Sequence, residues 1–289
     1  MGVIDKITIT NNRIYILDIT RAKSLFIYDR EGRLKKVINK LGNGPGEFVK
    51  PQDFDIQQGT GNIIILDGDQ RKFITYSKDG DFISEISKKN VSINSFLTLN
   101  DDKIIIDKGN TTSNDNGDYI NFINFKGEEI ASFLPVPKYL KNITISPQNP
   151  LQRLEDTVLY MPSVHNCLYQ IYDNQVQLKY TFDFGDLWPG KQYLHDHQDK
   201  HPLQIAQGLV QNYIAFLNYI ENETLLFLNF YYKDKQYYYY FNKQSEKTLL
   251  FHSTERINLA PIATVKNDFV YVVYMDDANP KLVFYSVKL

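Results

Sequence analysis

Cysteine and tryptophan are almost absent. The 289 residues hold one of each, Cys167 and Trp188, beside three methionines. A lone cysteine excludes an internal disulfide. Cys167 stands before an apolar strand pattern and reads as a buried, inert thiol. Neither charge is in excess: 32 Lys and Arg are mixed with 34 Asp and Glu, for a formal charge of −2. No basic stripe appears, which argues against nucleic acid as a partner. No apolar run approaches the roughly 18 residues of a membrane-spanning helix, so no transmembrane span is expected.

What the chain has is apolar strand material, and it repeats. Hydrophobic residues make up 43%, with 21 Tyr and 18 Phe, types that favour half-buried pleated surfaces. Residues 13–34 run Arg-Ile-Tyr-Ile-Leu-Asp, a polar gap, then Leu-Phe-Ile-Tyr-Asp-Arg-Glu-Gly-Arg-Leu. Residues 62–83 repeat the pattern, so that Asp18, Tyr28 and Gly32 answer to Asp67, Tyr76 and Gly80 at offsets of 49, 48 and 48. A period in the forties built from short strands is the mark of propeller blades. The near-unbroken apolar runs Ile14–Leu17 and Ile63–Leu66 predict strands buried on both faces. Gly32 and Gly80 supply the positive φ of a hairpin turn. Weaker copies open at Lys103, Val158, Leu225 and Phe269. Six units in 289 residues average about 48 each, the size of a four-stranded blade. The expectation is therefore an all-β, six-bladed propeller of four-stranded antiparallel blades, with residues 1–289 as one domain. Its terminal strands should be neighbours, because closing the ring protects the edges.

Between the first two units lies Leu41-Gly42-Asn43-Gly44-Pro45-Gly46-Glu47-Phe48, followed by Pro51. This resembles the linker of NHL repeats, a Gly-x-Gly-Pro-Gly-Glu-Phe loop leading to an inner strand. The chain is similar to the six-bladed β-propeller lipoproteins of gut-dwelling Gram-negative anaerobes. Leu168-Tyr169-Gln170-Ile171-Tyr172-Asp173, Asp183-Phe184-Gly185 and the ending Asn279-Pro280-Lys281-Leu282 match that family as well. The loop occurs once here, where many NHL proteins repeat it. The resemblance implies an extracytoplasmic, periplasmic or cell-surface lipoprotein. The start Met1-Gly2-Val3-Ile4 enters a strand with no signal peptide. That implies removal of a leader and its lipid-bearing Cys, or alternatively a cytoplasmic protein.

Residues 185–221 break the strand pattern. Gly185 to Gly190 reads as a turn containing Trp188, a plug seating the insertion or a sugar-stacking platform. Apolar residues from Leu203 to Leu217 recur at three- and four-residue spacing, which predicts an amphipathic helix over about 203–215 within an insertion near 190–217. The preceding polar stretch reads as an exposed loop. Its His195, His197 and His201 have a spacing able to gather imidazoles around zinc, against the ordinary reading of solvated histidines. No cofactor is expected; zinc there, or calcium, is the alternative. Asn110 to Asp118 reads as a long hairpin without the fixed carboxylate alternation of calcium loops.

Loops on a rigid ring carry recognition. The sequence places candidate ligand-binding residues on the face carrying Gly42 to Asp53: Asp18, Arg21, Asp67, Asp69, Arg71, His165 and Asn166, with Trp188 above them. The favoured function is a binding module for a glycan or a protein. The alternatives are a metal-dependent propeller hydrolase or lyase, and a structural part of an envelope complex. No Ser-His-Asp set emerges from the spacing, and no catalytic residue is assigned.

Overall fold

The computed structural model describes residues 3–99, 102–110, 117–140, 143, 147, 149–172, 174–253, 260–273, 281–285, 287 and 289. Residues 111–116 of the expected hairpin lie outside the described residues, as do Asp173, Asn279 and Pro280 of the family-like motifs.

The strands form six antiparallel sheets, each built from consecutive segments. Blade one is β1 (Lys6–Ile9), β2 (Arg13–Asp18), β3 (Ser24–Asp29) and β4 (Leu34–Ile38). Blade two is β5 (Pro51–Ile56), β6 (Ile63–Asp67), β7 (Lys72–Tyr76) and β8 (Phe82–Ser87). Blade three is β9 (Ser95–Leu99), β10 (Lys103–Asp107), β11 (Asp118–Asn124) and β12 (Glu129–Pro135). Blade four is β13 (Leu151–Leu154), β14 (Thr157–Tyr160), β15 (Cys167–Tyr172) and β16 (Gln175–Thr181). Blade five is β17 (Ala215–Glu221), β18 (Leu225–Tyr232), β19 (Lys235–Asn242) and β20 (Thr248–His252). Blade six shows three strands among the described residues, β21 (Ala263–Val265), β22 (Asp268–Val273) and β23 (Lys281–Tyr285). The chain is a six-bladed β-propeller.

The blades pack face to face through the alternation of strand side chains. In β6, Ile63 and Ile65 join Tyr15, Leu17 and Ile27 of blade one. Ile64 and Leu66 point the other way, to Phe96, Ile104 and Ile106 of blade three. All five residues of β6 and of β7 are buried, as the unbroken apolar run predicts. Each such side chain contributes about 1.5–3 kcal/mol on burial. The four consecutive tyrosines of β19 obey the same rule: Tyr237 and Tyr239 face one cluster, Tyr238 and Tyr240 the next. The outermost β8 is exposed along nearly its whole length.

The first strand of each blade lies nearest the axis, so β1, β5 and β9 are successive neighbours, and β1 also meets β21. Ile4, Ile7, Ile14 and Ile16 pack against Ile262, Ala263, Val272 and Leu282, which closes the ring between first and last blades. The hairpin glycines recur with φ of +81° at Gly32, +85° at Gly80 and +80° at Gly127.

The insertion contains two helices, where the sequence predicts one. The stretch read as an exposed loop forms α1 (Lys191–His197), anchored by the buried Leu194. The second helix, α2 (Pro202–Asn212), starts with Pro202 in its first turn and the His201 side chain accepting from the Leu203 N–H. It ends earlier than its apolar periodicity suggests. Tyr213 is extended, and the Ile214 N–H donates to the Leu187 carbonyl, turning the chain into β17. The last apolar residues of the periodic run therefore belong to a strand.

Candidate functional site

Each blade presents its links and turns at two ends. The end carrying the blade-to-blade links and the second-to-third-strand turns is the link face; the other is the hairpin face. The residues singled out in the sequence occupy the link face. Asp18 and Asp67 are fully buried there. The Asp67 carboxylate accepts the N–H groups of Val49 and Lys50 in the link, and of Asp69 and Gln70 in the turn. Asp18 likewise accepts from Val3, Arg21 and Ala22. Asp107 closes the series in blade three, taking hydrogen bonds from the Asn94 amide, the Gly109 N–H and the Tyr160 hydroxyl. Burial raises the Asp107 carboxyl above the ordinary carboxylate range against these bonds. Asp18 and Asp67 satisfy link and turn backbone that no strand ladder pairs, while Asp107 binds one turn N–H and two side chains.

Arg21, Asp69 and Arg71 are exposed on that face. Arg71, with φ +53°, donates to the Lys89 carbonyl. The Asn166 amide donates to the Phe182 carbonyl. His165 contacts the Ser163 carbonyl and meets Tyr119 edge-on at 5.3 Å; burial lowers its pKa. Trp188 stacks on Phe184 at 5.6 Å within the blade-four and blade-five cluster, so it seats the insertion. Beside it, His165 and Trp188 flank a cleft of about 20 Å³, water-sized. The Gly-Pro-Gly-Glu-Phe loop is bound down by its own chain: the Glu47 carboxylate accepts from the Gly44 N–H, the Tyr76 hydroxyl donates to the Gly46 carbonyl, and Phe48 is fully buried.

The three insertion histidines do not converge. His195 faces Asp196, His197 stacks on Tyr193 with Nδ1 at the Tyr193 carbonyl, and His201 caps α2. Among the described residues no three His, Cys, Asp or Glu side chains are grouped as a metal ion requires. Cys167 is half-buried rather than buried, because it opens β15 opposite Thr181 of the outer strand.

A cavity of about 900 Å³ runs along the axis, and none of the candidate residues of the link face lines it. Its rim is the hairpin face, where Asn11, Asn12, Gln58, Glu155, Glu223 and Lys266 are exposed. Its wall is the six inner strands, whose polar side chains stitch blade to blade. Asp53 accepts from Lys6 Nζ at 2.6 Å and from the Phe96 N–H. Asp55 accepts from the Thr98 N–H and hydroxyl and from Arg153 Nη2 at 3.1 Å; the same nitrogen donates to the Thr98 carbonyl. The Gln152 amide donates to the Glu221 carbonyl and accepts the Glu221 N–H. Inner strands have an unpaired edge, and these side chains satisfy it on β9 and β17. At the hairpin end, the fully buried Glu221 carboxylate holds Lys179 and Lys243, each at 2.8 Å. The adjacent Tyr180 hydroxyl is pushed up to about 12 by burial and by Glu221's charge. The axial polar set follows from short patterns such as Pro51-Gln52-Asp53-Phe54-Asp55-Ile56, which put two carboxylates on one face of a strand.

The family model described as "Domain of unknown function (DUF4934)" matches residues 1–286, nearly the whole chain. The chain belongs to the DUF4934 family. This DUF4934 propeller is similar to a "Putative exported protein" of Bacteroides fragilis NCTC 9343, at 17% identity and a TM-score of 0.80 over 93% of this chain and 78% of that one. It is also similar to a DUF4221 family member from Bacteroides vulgatus ATCC 8482, at 9% identity and a TM-score of 0.60 over 92% and 86%. Virginiamycin B lyase from Staphylococcus aureus shares 13% identity and a TM-score of 0.50 over 98% and 86%. At these identities the likeness is one of fold. No curated protein matches the chain.

Proposed function

We propose that this DUF4934 propeller is a binding module working outside the cytoplasm, and that it takes its glycan or protein partner in the axial cavity. The observation that carries this reading is the cavity itself. It lies within the size range of ligand sites, opens at an exposed rim, and has a wall whose charged groups are already held by partners. A preorganised wall binds with little reordering cost. The fold likeness to the Bacteroides fragilis exported protein supports an envelope location. The lipoprotein and NHL-like readings rest on the Gly42–Phe48 loop and the motifs around it. Among the described residues no helix is long and apolar enough to cross a membrane.

The test uses one substitution at each end. Thr8 lines the cavity on β1, and Arg71 is exposed on the link face. For any partner found on a glycan array or by envelope-protein capture, Thr8→Trp abolishes binding and Arg71→Ala leaves it unchanged. The reverse result moves the site to Arg21, Asp69 and Arg71.

A further inference from the structure

Two long basic side chains on the wall of the axial cavity start in different blades and end on the same strand. Lys6 leaves β1 in blade one and pairs with Asp53 at 2.6 Å. Arg153 leaves β13 in blade four, donates to the Thr98 carbonyl on β9 and pairs with Asp55 at 3.1 Å. Asp53 and Asp55 stand on one face of β5, about 6–7 Å apart along the strand, and both accept from β9 backbone. The two cationic heads are therefore neighbours at the seam of blades two and three.

The members of each pair are placed differently. The side chains of Asp53 and Asp55 are 7% and 5% exposed, against 18% for Lys6 and 21% for Arg153. The carboxylates are well supplied with donors: Asp53 also accepts from the Phe54 and Phe96 N–H groups, and Asp55 from the Thr98 N–H and hydroxyl. An ammonium and a guanidinium carry more N–H donors than these pairs use. The Lys6 ammonium gives one hydrogen bond, to Asp53, and Arg153 bonds only through Nη2. Arg153 Nε and Nη1 have no acceptor among the described residues, and neither is sealed from water. Both residues line the cavity, and the strands they reach are inner ones, so their remaining donors open onto it. Five basic and three acidic side chains line the cavity, four acidic with Asp53 behind Lys6.

An anion can thus approach the pair without breaking either ion pair. Hydrogen bonds between a cation and an anionic oxygen are about twice as strong as neutral ones. The heads are already held in place, which lowers the ordering cost of binding. We infer that Lys6 and Arg153 form an anion-binding site in the axial cavity, and that the partner enters with a carboxylate, sulfate or phosphate group. This rests on the axial reading above.

The probes are glucuronate, inorganic sulfate and inorganic phosphate, with glucose as the neutral control, titrated by calorimetry at constant ionic strength. The proteins are the parent, Arg153→Lys, Lys6→Gln and Thr8→Trp, each checked for folding by its melting curve. Arg153→Lys keeps a charge for Asp55 and removes the Nε and Nη1 donors. Lys6→Gln keeps a donor for Asp53 and removes the charge. The parent binds at least one anion and not glucose. Each of the two substitutions weakens that anion by about tenfold or more, the value of one hydrogen bond to a charged group, and Thr8→Trp abolishes binding. If one variant fails to fold, the other decides. Parent-like anion affinity in a folded Arg153→Lys or Lys6→Gln, with binding lost in Thr8→Trp, overturns the paired site and leaves the axial one standing. Anion binding unchanged in Thr8→Trp removes the axial site together with this inference. Binding of none of the anions, or of glucose as tightly as glucuronate, overturns the anionic class; the partner test with Thr8→Trp and Arg71→Ala then judges the axial reading by itself.

Discussion

Replacing Asp67 by Ala tests whether the repeated aspartate holds the blade together. Its carboxylate is fully buried and accepts from Val49 at 2.7 Å, Asp69 at 3.0 Å, Gln70 at 3.1 Å and, more weakly, Lys50 at 3.4 Å; the Gln70 amide adds a bond of 2.9 Å. Hydrogen bonds to a charged acceptor contribute about 1.5–3 kcal/mol each, and a stranded buried donor costs about 1–3 kcal/mol. These terms overlap, and part of the turn regains water. The net loss should be about 3–5 kcal/mol, in the upper range for single substitutions. Unfolding entropy near 2.1 cal/mol/K per residue gives about 0.6 kcal/mol/K for this chain, so the melting temperature should fall by about 5–8 °C. Asp67→Asn keeps one acceptor oxygen and should fall between. Asp69→Ala, exposed in the same turn, should stay within about 0.5 kcal/mol. Calorimetry on the four proteins decides. If Asp67→Ala melts within a degree of the parent, the clamp argument is refuted and a ligand role for Asp67 regains weight.

The link loop should respond unequally to valine. Gly46 has φ +70°, and a Cβ there would lie 2.7 Å from the Phe82 ring, whereas at Gly44 it would meet the movable end of Glu47 at 3.0 Å. Gly46→Val should cost about 2–4 kcal/mol in urea unfolding and Gly44→Val clearly less, and equal losses would contradict a backbone origin. His165 should make the fold acid-sensitive. Burial lowers its pKa in the folded protein, so below about 6.5 the unfolded chain takes up the proton first, and stability is lost as pH falls. The melting temperature of the parent should drop more steeply between pH 7 and 5 than that of His165→Phe; parallel curves would exclude this source. Ring closure should appear as coupling. Ile7→Ala should cost about 2–4 kcal/mol, and its effect should be non-additive with Leu282→Ala by at least about 0.5 kcal/mol, since both belong to the cluster joining blades one and six.

The propeller was legible because its blades repeat the same local rules. Period-2 burial recurs from blade to blade, and blades one to three add a glycine in the outer hairpin, at Gly32, Gly80 and Gly127, and an aspartate closing the second strand, so each copy supports the others. The insertion was less legible. A run of apolar residues at helical spacing passes without a sequence break into Ile214 and β17, and only the pull of the Leu187 carbonyl marks the end of α2. His195 and His197 looked loop-like because polar residues dominate, yet one buried leucine between Tyr193 and His195 suffices to pin a two-turn helix.

The candidate site was mostly illegible for a different reason. An aspartate that binds a ligand and one that binds the backbone have the same spacing along a repeat. What separates them is how many N–H groups point at the carboxylate, and that is a property of two chain segments meeting. Asp18, Asp67 and Asp107 share one position in three blades. A regularity that follows the architecture so closely is better explained by the architecture than by a ligand, which touches different blades differently. The axial wall shows the opposite pattern. Lys6, Asp55, Thr98, Arg153 and Glu221 occupy inner strands of five blades, and apart from Thr8 and Thr98, which hold the same register position in blades one and three, these polar residues differ from blade to blade. Irregularity against a regular scaffold is where recognition is written, but in a single sequence it looks like noise between the repeats. The alternation of Asp53 and Asp55 around Phe54 is the one trace of it in the sequence.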